Sequence, residues 1–547
     1  MPVNLKNDFS CLLVLILALG VNFLGINVPF FTDDPGLYAA LAKNMVLRGN
    51  YWELFSYGKD WLDKPHFPFW MAALSFKLFG IYTWSYKLPA LLSFVLSAVY
   101  TYLFAKKSHG QKTALMAVLI LVSAQQIYMS NTDVRAEPYL MALIIGSVYH
   151  FYQLEKRFSR RDLILGSLFA ACAVMTKGVF ALIPIGASVI GELIFKNRYA
   201  EIFRLKWLLA FILTAVFILP EIYSLYVQFD SRPGKNTFQN THISGIRWFL
   251  WDSQFGRFIN NGPITRQSGS IFFFVHTLTW AFAPWFFMLV YAVFIHLKKI
   301  FKKQPLPEYY TFCGALSMWL IFSLSSFQLP FYTNIIFPFF AVFTAAAFSK
   351  ALSNRTFRFF KFVQYLQVGI LLLATLIFNY FLNSENLVLL LTETTSLGIL
   401  IFYLNKNTSG FKFLFLLSCS ATLFVNLYLN TIFYPLLANY KADVQAPKYI
   451  NQYFPNKPVY VMDSLNNAFQ FYCRQPAQLL SKADLENGTS AKKIIYTDEA
   501  TVKKLRQKHL VEILKMAENY PNENILKDFI WYKKRKETLD RYFIIRY

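Results

Sequence analysis

Apolar runs of about 16 to 25 residues, the length a helix needs to cross hydrocarbon, recur along the first 434 positions and are divided by short polar stretches. The runs are continuous rather than alternating, which predicts membrane-spanning helices and not a barrel. Spans are expected near 9–29, 86–105, 113–130, 139–154, 163–177, 178–196, 206–227, 271–297, 310–326, 331–350, 360–382, 387–404 and 411–434, about thirteen in all. From Tyr440 onward the pattern changes to short β-type runs, Val459-Tyr-Val-Met and Ile494-Ile-Tyr496, each followed by a helix-like segment, and the chain ends on Tyr542-Phe-Ile-Ile-Arg-Tyr547. The expected fold class is therefore an all-α polytopic membrane domain, residues 1–434, followed by a small extracytoplasmic α/β domain, residues 435–547.

Two stretches interrupt the apolar pattern at length. Residues 30–85 are polar and marked by proline, with part of a helical face in Tyr38, Leu41, Met45 and Leu47 and a short apolar segment at 67–80. The first is expected to lie flat in the membrane interface and the second to be interfacial or re-entrant. Residues 228–270 form a second long outer loop broken by Gly and Pro.

The composition agrees: 547 residues, 56% hydrophobic and 19% aromatic. The net charge of +24 follows topology, because Lys106, Lys107 and Lys112, then Lys156, Arg157, Arg160 and Arg161, then Lys196, Arg198, Arg204 and Lys206, and so on to Lys406 and Lys412, all fall in loops on one predicted side. That pattern implies a cytoplasmic N-terminus and an outer C-terminal domain, and it removes the case for nucleic acid as a partner. The first apolar run, with only Lys6 before it and no small-residue cleavage site ahead of Asp33, reads as a retained anchor. Four of five cysteines lie in expected spans, and a Gly-x-x-x-x-Gly-Lys loop is absent, so neither a disulfide framework nor a nucleotide cofactor is expected.

Against this background the charged residues at one membrane edge stand out. Phe-Phe-Thr-Asp33-Asp34-Pro-Gly directly follows the first span, and Asp63-Lys64-Pro-His66 comes shortly after. Asp before Pro-Gly is also ordinary turn chemistry. Two adjacent carboxylates beside lipid, however, suit a general base or a hard-cation site, and Lys64 suits a phosphate oxygen. His66 is a candidate metal ligand without a matching partner at ligand spacing, and Asp63 with Lys64 is an ordered pair of opposite charges. On the same side, Asn131-Thr-Asp133-Val-Arg135-Ala-Glu137-Pro138 supplies another set of acid, base and acid, and Lys177 sits at the tip of a tight helical hairpin. A substrate with an anionic leaving group and a lipid tail, such as a lipid-linked phosphosugar, fits these parts.

At these residues the chain resembles the GT-C polyprenyl-phosphate-sugar glycosyltransferases, particularly the bacterial aminoarabinose transferases and protein O-mannosyltransferases. The resemblance rests on Asp34 with Tyr38-Ala39, Asp63-Lys64-Pro65 with Trp70, Lys87-Leu-Pro89, Met175-Thr-Lys177-Gly178, Trp251 with Gln254, Arg257 and Phe258, Ala283-Pro284-Trp285, and Phe327-Gln-Leu-Pro-Phe-Tyr332. It implies Asp34, with Asp33 beside it, as the catalytic acid-base site and Glu137 as a second acidic site. It further implies Lys64, Lys177 and Arg257 as ligands of the donor phosphate, Tyr332 as a pocket residue, and Asp63 as a residue that holds a divalent ion, with His66 beside it, or orients Lys64. Pro35, Leu37 and Gln328 depart from the family pattern. The implied activity is inverting transfer of a sugar, 4-amino-4-deoxy-L-arabinose or another pentose or hexose, from a polyprenyl phosphate donor to lipid A, a surface glycan or a protein, at a bacterial inner membrane. A lipid-linked sugar flippase or a non-catalytic lipid-binding membrane protein is the alternative.

Overall fold

The computed structural model describes residues 9–232, 234, 236–237, 240–241, 243–258, 269–349, 352–384, 386–462, 467–480, 493–508, 511–520 and 527–547. A bundle of helices carries the first four-fifths of the chain, and a five-stranded sheet closes the C-terminal part. Among the described residues, seven helices are long and apolar enough to cross a membrane, or eight if the bent pair Gln111–Ser123 and Gln125–Thr132 is one span. The chain is a multi-pass membrane protein. The other places in the thirteen-span reading are held by helices that are shorter or more charged, among them Glu137–Lys156, Arg160–Lys177 and Tyr310–Leu324.

The run at 113–130 breaks by 54° at Ala124. Buried amides line the break, and one of them takes up the Val122 carbonyl. Asn22 donates to the carbonyls of Ala18 and Val122 at 2.8 and 3.0 Å, and Gln125 and Asn426 exchange two side-chain hydrogen bonds of 3.0 and 2.9 Å. Each is a buried polar group satisfied in a region with no water to do it.

The helix Thr83–His109 runs the length of the bundle, about 40 Å at helical rise, and separates two chemically different ends. At one end Lys87, fully buried, gives its ammonium to the carbonyls of Gly25, Val28 and Thr132 at 2.9, 2.7 and 2.6 Å. At the other, the basic loops meet buried carboxylates: Arg198 pairs with Glu155, Lys196 with Glu192, and His109 with Glu308 at 3.2 Å.

The loop 30–85 lies at the Lys87 end. Its helix Asp33–Arg48 begins with two aspartates in the first turn and ends with Arg48 in the last, the arrangement a helix macrodipole favours. Tyr38, Leu41 and Met45 form the expected face, but that face is buried within the protein instead of lying in the interface. It is covered by the helix Phe67–Phe79 and by a short helix of the C-terminal part, Asn467–Tyr472. Leu47, half exposed, is the member of that face left uncovered.

In the C-terminal part the sheet order is Ala477–Leu479, Val459–Val461, Ile494–Asp498, Asp540–Arg546, Glu512–Asn519. The first three strands are parallel and the last two pairings antiparallel. The final run of the chain is thus an interior strand paired on both sides. Two contacts tie this part to the loop after the first span: the backbone N–H of Phe30 donates to the Tyr472 hydroxyl at 3.0 Å, and the Tyr520 hydroxyl donates to the Phe31 carbonyl at 2.7 Å.

Candidate active site

Four segments far apart in sequence bring their charges together at the Lys87 end of the bundle. Asp34, in the first turn of its helix, accepts a 2.7 Å ion pair from Arg135 and keeps 41% of its side chain exposed. Arg135 also donates to Thr32 Oγ1 at 3.0 Å, approaches Asp133 at 3.4 Å, and lies 4.3 Å from the centre of the Phe331 ring. The adjacent ring, Tyr332, packs 4.1 Å from the ammonium of Lys177, which is paired with Glu137. Asp34, Arg135, Phe331 with Tyr332, Lys177 and Glu137 therefore form one continuous file.

The electrostatics place Asp63 in the same neighbourhood. Burial, and then the charges of Asp34, Asp63 and Glu137, push the Tyr38 hydroxyl well above the usual phenol range. For Arg135, burial works against the charge, but Asp133, Asp34 and Glu137 outweigh it and hold the guanidinium pKa above its ordinary value. Lys64 and Asp63 pair at 2.9 Å, both mostly covered.

Lys177 ends the helix Arg160–Lys177, and Glu137 opens Glu137–Lys156; both side chains are buried. One Glu137 oxygen, Oε2, is buried without a hydrogen-bond partner among the described residues. A cavity of about 100 Å³ adjoins the pair, lined by Lys177, Ser253, Gln254, Phe322 and Tyr332. Gly178 makes this approach possible: its φ of 114° is a conformation L side chains rarely adopt, and a Cβ there would stand 2.2 Å from the Gln254 amide.

His66, the candidate metal ligand, has its Nδ1 3.0 Å from Glu221 Oε1 and its Nε2 3.2 Å from the Trp52 carbonyl, so both ring nitrogens face protein oxygens. The backbone N–H of His66 adds a 2.9 Å bond to Glu221 Oε2, which fixes the start of the helix Phe67–Phe79. Among the described residues no three His, Cys, Asp or Glu side chains converge as a metal site. Arg257 falls in the helix Ser253–Phe258, and its side chain lies outside the described residues.

Asp33 accepts a 2.9 Å hydrogen bond from the Asn467 amide. Gln328, where the family pattern often has Lys, donates to the carbonyls of Phe322 and Ser323 and accepts from the backbone N–H of Ser270 at 3.0 Å. An amide can both donate and accept there; a lysine can only donate. Arg135 is marked by its loop of alternating acid and base as a paired or functional residue, though the sequence assigns it no role, and Asn467 carries no signal in the sequence.

Residues 63–223 match the family model described as dolichyl-phosphate-mannose-protein mannosyltransferase. The chain is 25% identical over 345 residues to an uncharacterized protein of Aquifex aeolicus, covering 62% of this chain and 64% of that one. It is 24% identical over 305 residues to undecaprenyl phosphate-alpha-4-amino-4-deoxy-L-arabinose arabinosyl transferase 2 of Proteus mirabilis, covering 55% and 52%. The matched stretch thus spans about half to two-thirds of these relatives. In structure, ArnT from Cupriavidus metallidurans bound to undecaprenyl phosphate superposes with a TM-score of 0.76 at 15% identity, covering 98% of this chain and 97% of that one. The chain has the GT-C fold. Its resemblance to GT-C polyprenyl-phosphate-sugar glycosyltransferases holds in sequence and in fold. Within that fold the charged file lies at the end where the loop 30–85 meets the C-terminal part.

Proposed function

We propose that this protein is an inverting glycosyltransferase that moves a sugar from a polyprenyl phosphate donor to a hydroxyl or amine acceptor at the outer face of a bacterial inner membrane. The observation that carries the reading is the file itself. A half-exposed carboxylate oriented by Arg135 and a buried ammonium fixed by Glu137 stand in one row of side chains, which is the polarity such a displacement needs.

In this scheme the acceptor oxygen or nitrogen attacks the anomeric carbon and its proton passes to Asp34. The bond from that carbon to the phosphate oxygen breaks, and the departing polyprenyl phosphate keeps the electron pair. Lys177, held by Glu137, and Lys64, held by Asp63, stabilise the charge that develops on it. Asp33 stays beside the base, Tyr332 shapes the pocket under Lys177, and Arg257 is the further candidate for the phosphate. A phosphate monoester is an adequate leaving group once cations face it, so a single carboxylate base suffices.

The Proteus mirabilis relative's name supports 4-amino-4-deoxy-L-arabinose as the first sugar to test, with lipid A, a surface glycan or a protein as acceptor. The basic loops at the far end of the bundle support a cytoplasmic N-terminus and an outer C-terminal domain. The test is transfer by purified, reconstituted protein from radiolabelled undecaprenyl-phosphate sugars, with Asp34→Asn as control. Mass spectrometry of lipid A and surface glycans from a deletion strain then identifies the acceptor. Absence of turnover with every such donor would overturn the reading.

A further inference from the structure

The helix that carries Asp33 and Asp34 is gripped along its length by one short helix of the C-terminal part. At the N-terminal end the Asn467 amide donates to Asp33 Oδ1 at 2.9 Å. One turn on, the two backbones touch: a Cβ on Gly36 would stand 2.8 Å from the Ala468 nitrogen, so only glycine admits this approach. Further along, Lys43, 4% exposed, donates to the carbonyls of Gln470 and Phe471 at 3.1 Å each and to that of Cys473. Those are carbonyls at the end of the helix Asn467–Tyr472, which have no partner within the helix, and a cation is the favoured group there. The two helices therefore run side by side in the same direction, pinned at both ends and pressed together between them.

We propose that the C-terminal part is a working component of the transfer site, with Asn467 and Lys43 as positioning residues that set where the Asp33–Asp34 carboxylates stand. This rests on the function proposed above. Neither residue touches substrate in this scheme. Lys43 fixes the helix axis, and Asn467 fixes its first turn and supplies a neutral donor beside a carboxylate pair. The ties from Phe30 to Tyr472 and from Tyr520 to Phe31 hold the strand of chain that leads into that turn. A carboxylate replacing the Asn467 amide keeps the shape of the side chain but sets like charge against like, which raises carboxylate pKa values.

Full-length Asn467→Ala, Asn467→Asp and Lys43→Met proteins in nanodiscs, with Lys504→Ala as a control on the C-terminal part away from this contact, test the proposal by two readouts. Hydrogen exchange over residues 33–48 is expected to quicken at least about tenfold in Asn467→Ala and Lys43→Met and to stay unchanged in the control. In turnover with undecaprenyl-phosphate 4-amino-4-deoxy-L-arabinose and lipid A, the acidic limb of the kcat profile is expected to rise by about one pH unit in Asn467→Asp and not in Asn467→Ala. A merely structural role would leave that limb in place. Should Lys43→Met fail to fold, the two Asn467 variants carry the test alone. Unchanged exchange over 33–48 in the folded variants, or an acidic limb that does not move in Asn467→Asp, overturns the proposal. Quickened exchange in a protein whose wild type transfers no sugar supports the grip and overturns the function it was joined to.

Discussion

The charged residues divide into those that are reachable and those that are sealed. Asp34 keeps 41% of its side chain exposed, whereas Glu137 keeps 1% and Lys177 6%. Asp34→Asn removes the proposed base while leaving the side-chain volume and a contact to Arg135, so kcat is expected to fall about 10²- to 10⁴-fold with little change in thermal stability. Lys177 and Glu137 behave differently because each lacks water to replace its partner. Lys177→Met alone leaves a buried carboxylate uncompensated and is expected to cost about 3–5 kcal/mol in denaturation of the detergent-solubilised protein. Lys177→Met combined with Glu137→Gln is expected to recover most of that stability without recovering binding of undecaprenyl phosphate. Recovery of both would remove Lys177 from the donor site. At this scale much was legible in the sequence: carboxylates and lysines flanking apolar runs are conspicuous because lipid excludes them. What the sequence withholds is the partner of His66: Glu221, 155 residues away, meets both its ring and its backbone N–H.

Elements set the distances between those residues. The tight turn after Lys177 works because Gly178 takes a left-handed φ with the Gln254 amide against its Cα. Gly178→Ala introduces both strain and a clash there, so a lower unfolding temperature and weaker binding of undecaprenyl phosphate are expected together, measurable by thermal shift with and without that lipid. The helical spans were legible because apolar length is a strong signal. The fate of the amphipathic helix Asp33–Arg48 was not, since a face of Tyr38, Leu41 and Met45 is equally suited to lipid or to protein, and part of its cover comes from residues more than 400 positions later. Likewise the strands at Val459 and Ile494 were visible as β-branched runs. Glu512–Asn519, with Glu512, Lys515 and Glu518 spaced through it and no fully buried position, shows no such pattern.

For the whole molecule, the two ends of the bundle make opposite predictions for sidedness. Cysteines placed at Gly58, in the hairpin of the loop 30–85, and at Lys504, in the C-terminal part, are expected to react with an impermeant maleimide from outside intact spheroplasts. A cysteine at Lys303, among the basic loops, is expected to react only after lysis. Labelling of Gly58→Cys from the cytoplasmic side would overturn the proposed location of the reaction. Of the native cysteines, Cys11, Cys419 and Cys473 are buried and will not obscure the result.

Lys87 bears on how such a molecule comes together. Its ammonium belongs to one membrane segment, but its three oxygen partners belong to the chain just after the preceding segment and to the end of the following one. Until synthesis has passed Thr132 the charge lacks its full complement, and in hydrocarbon a half-solvated ammonium is costly. The opening segments are thereby bound to mature as a trio: none of them can drift off into lipid without stranding that nitrogen.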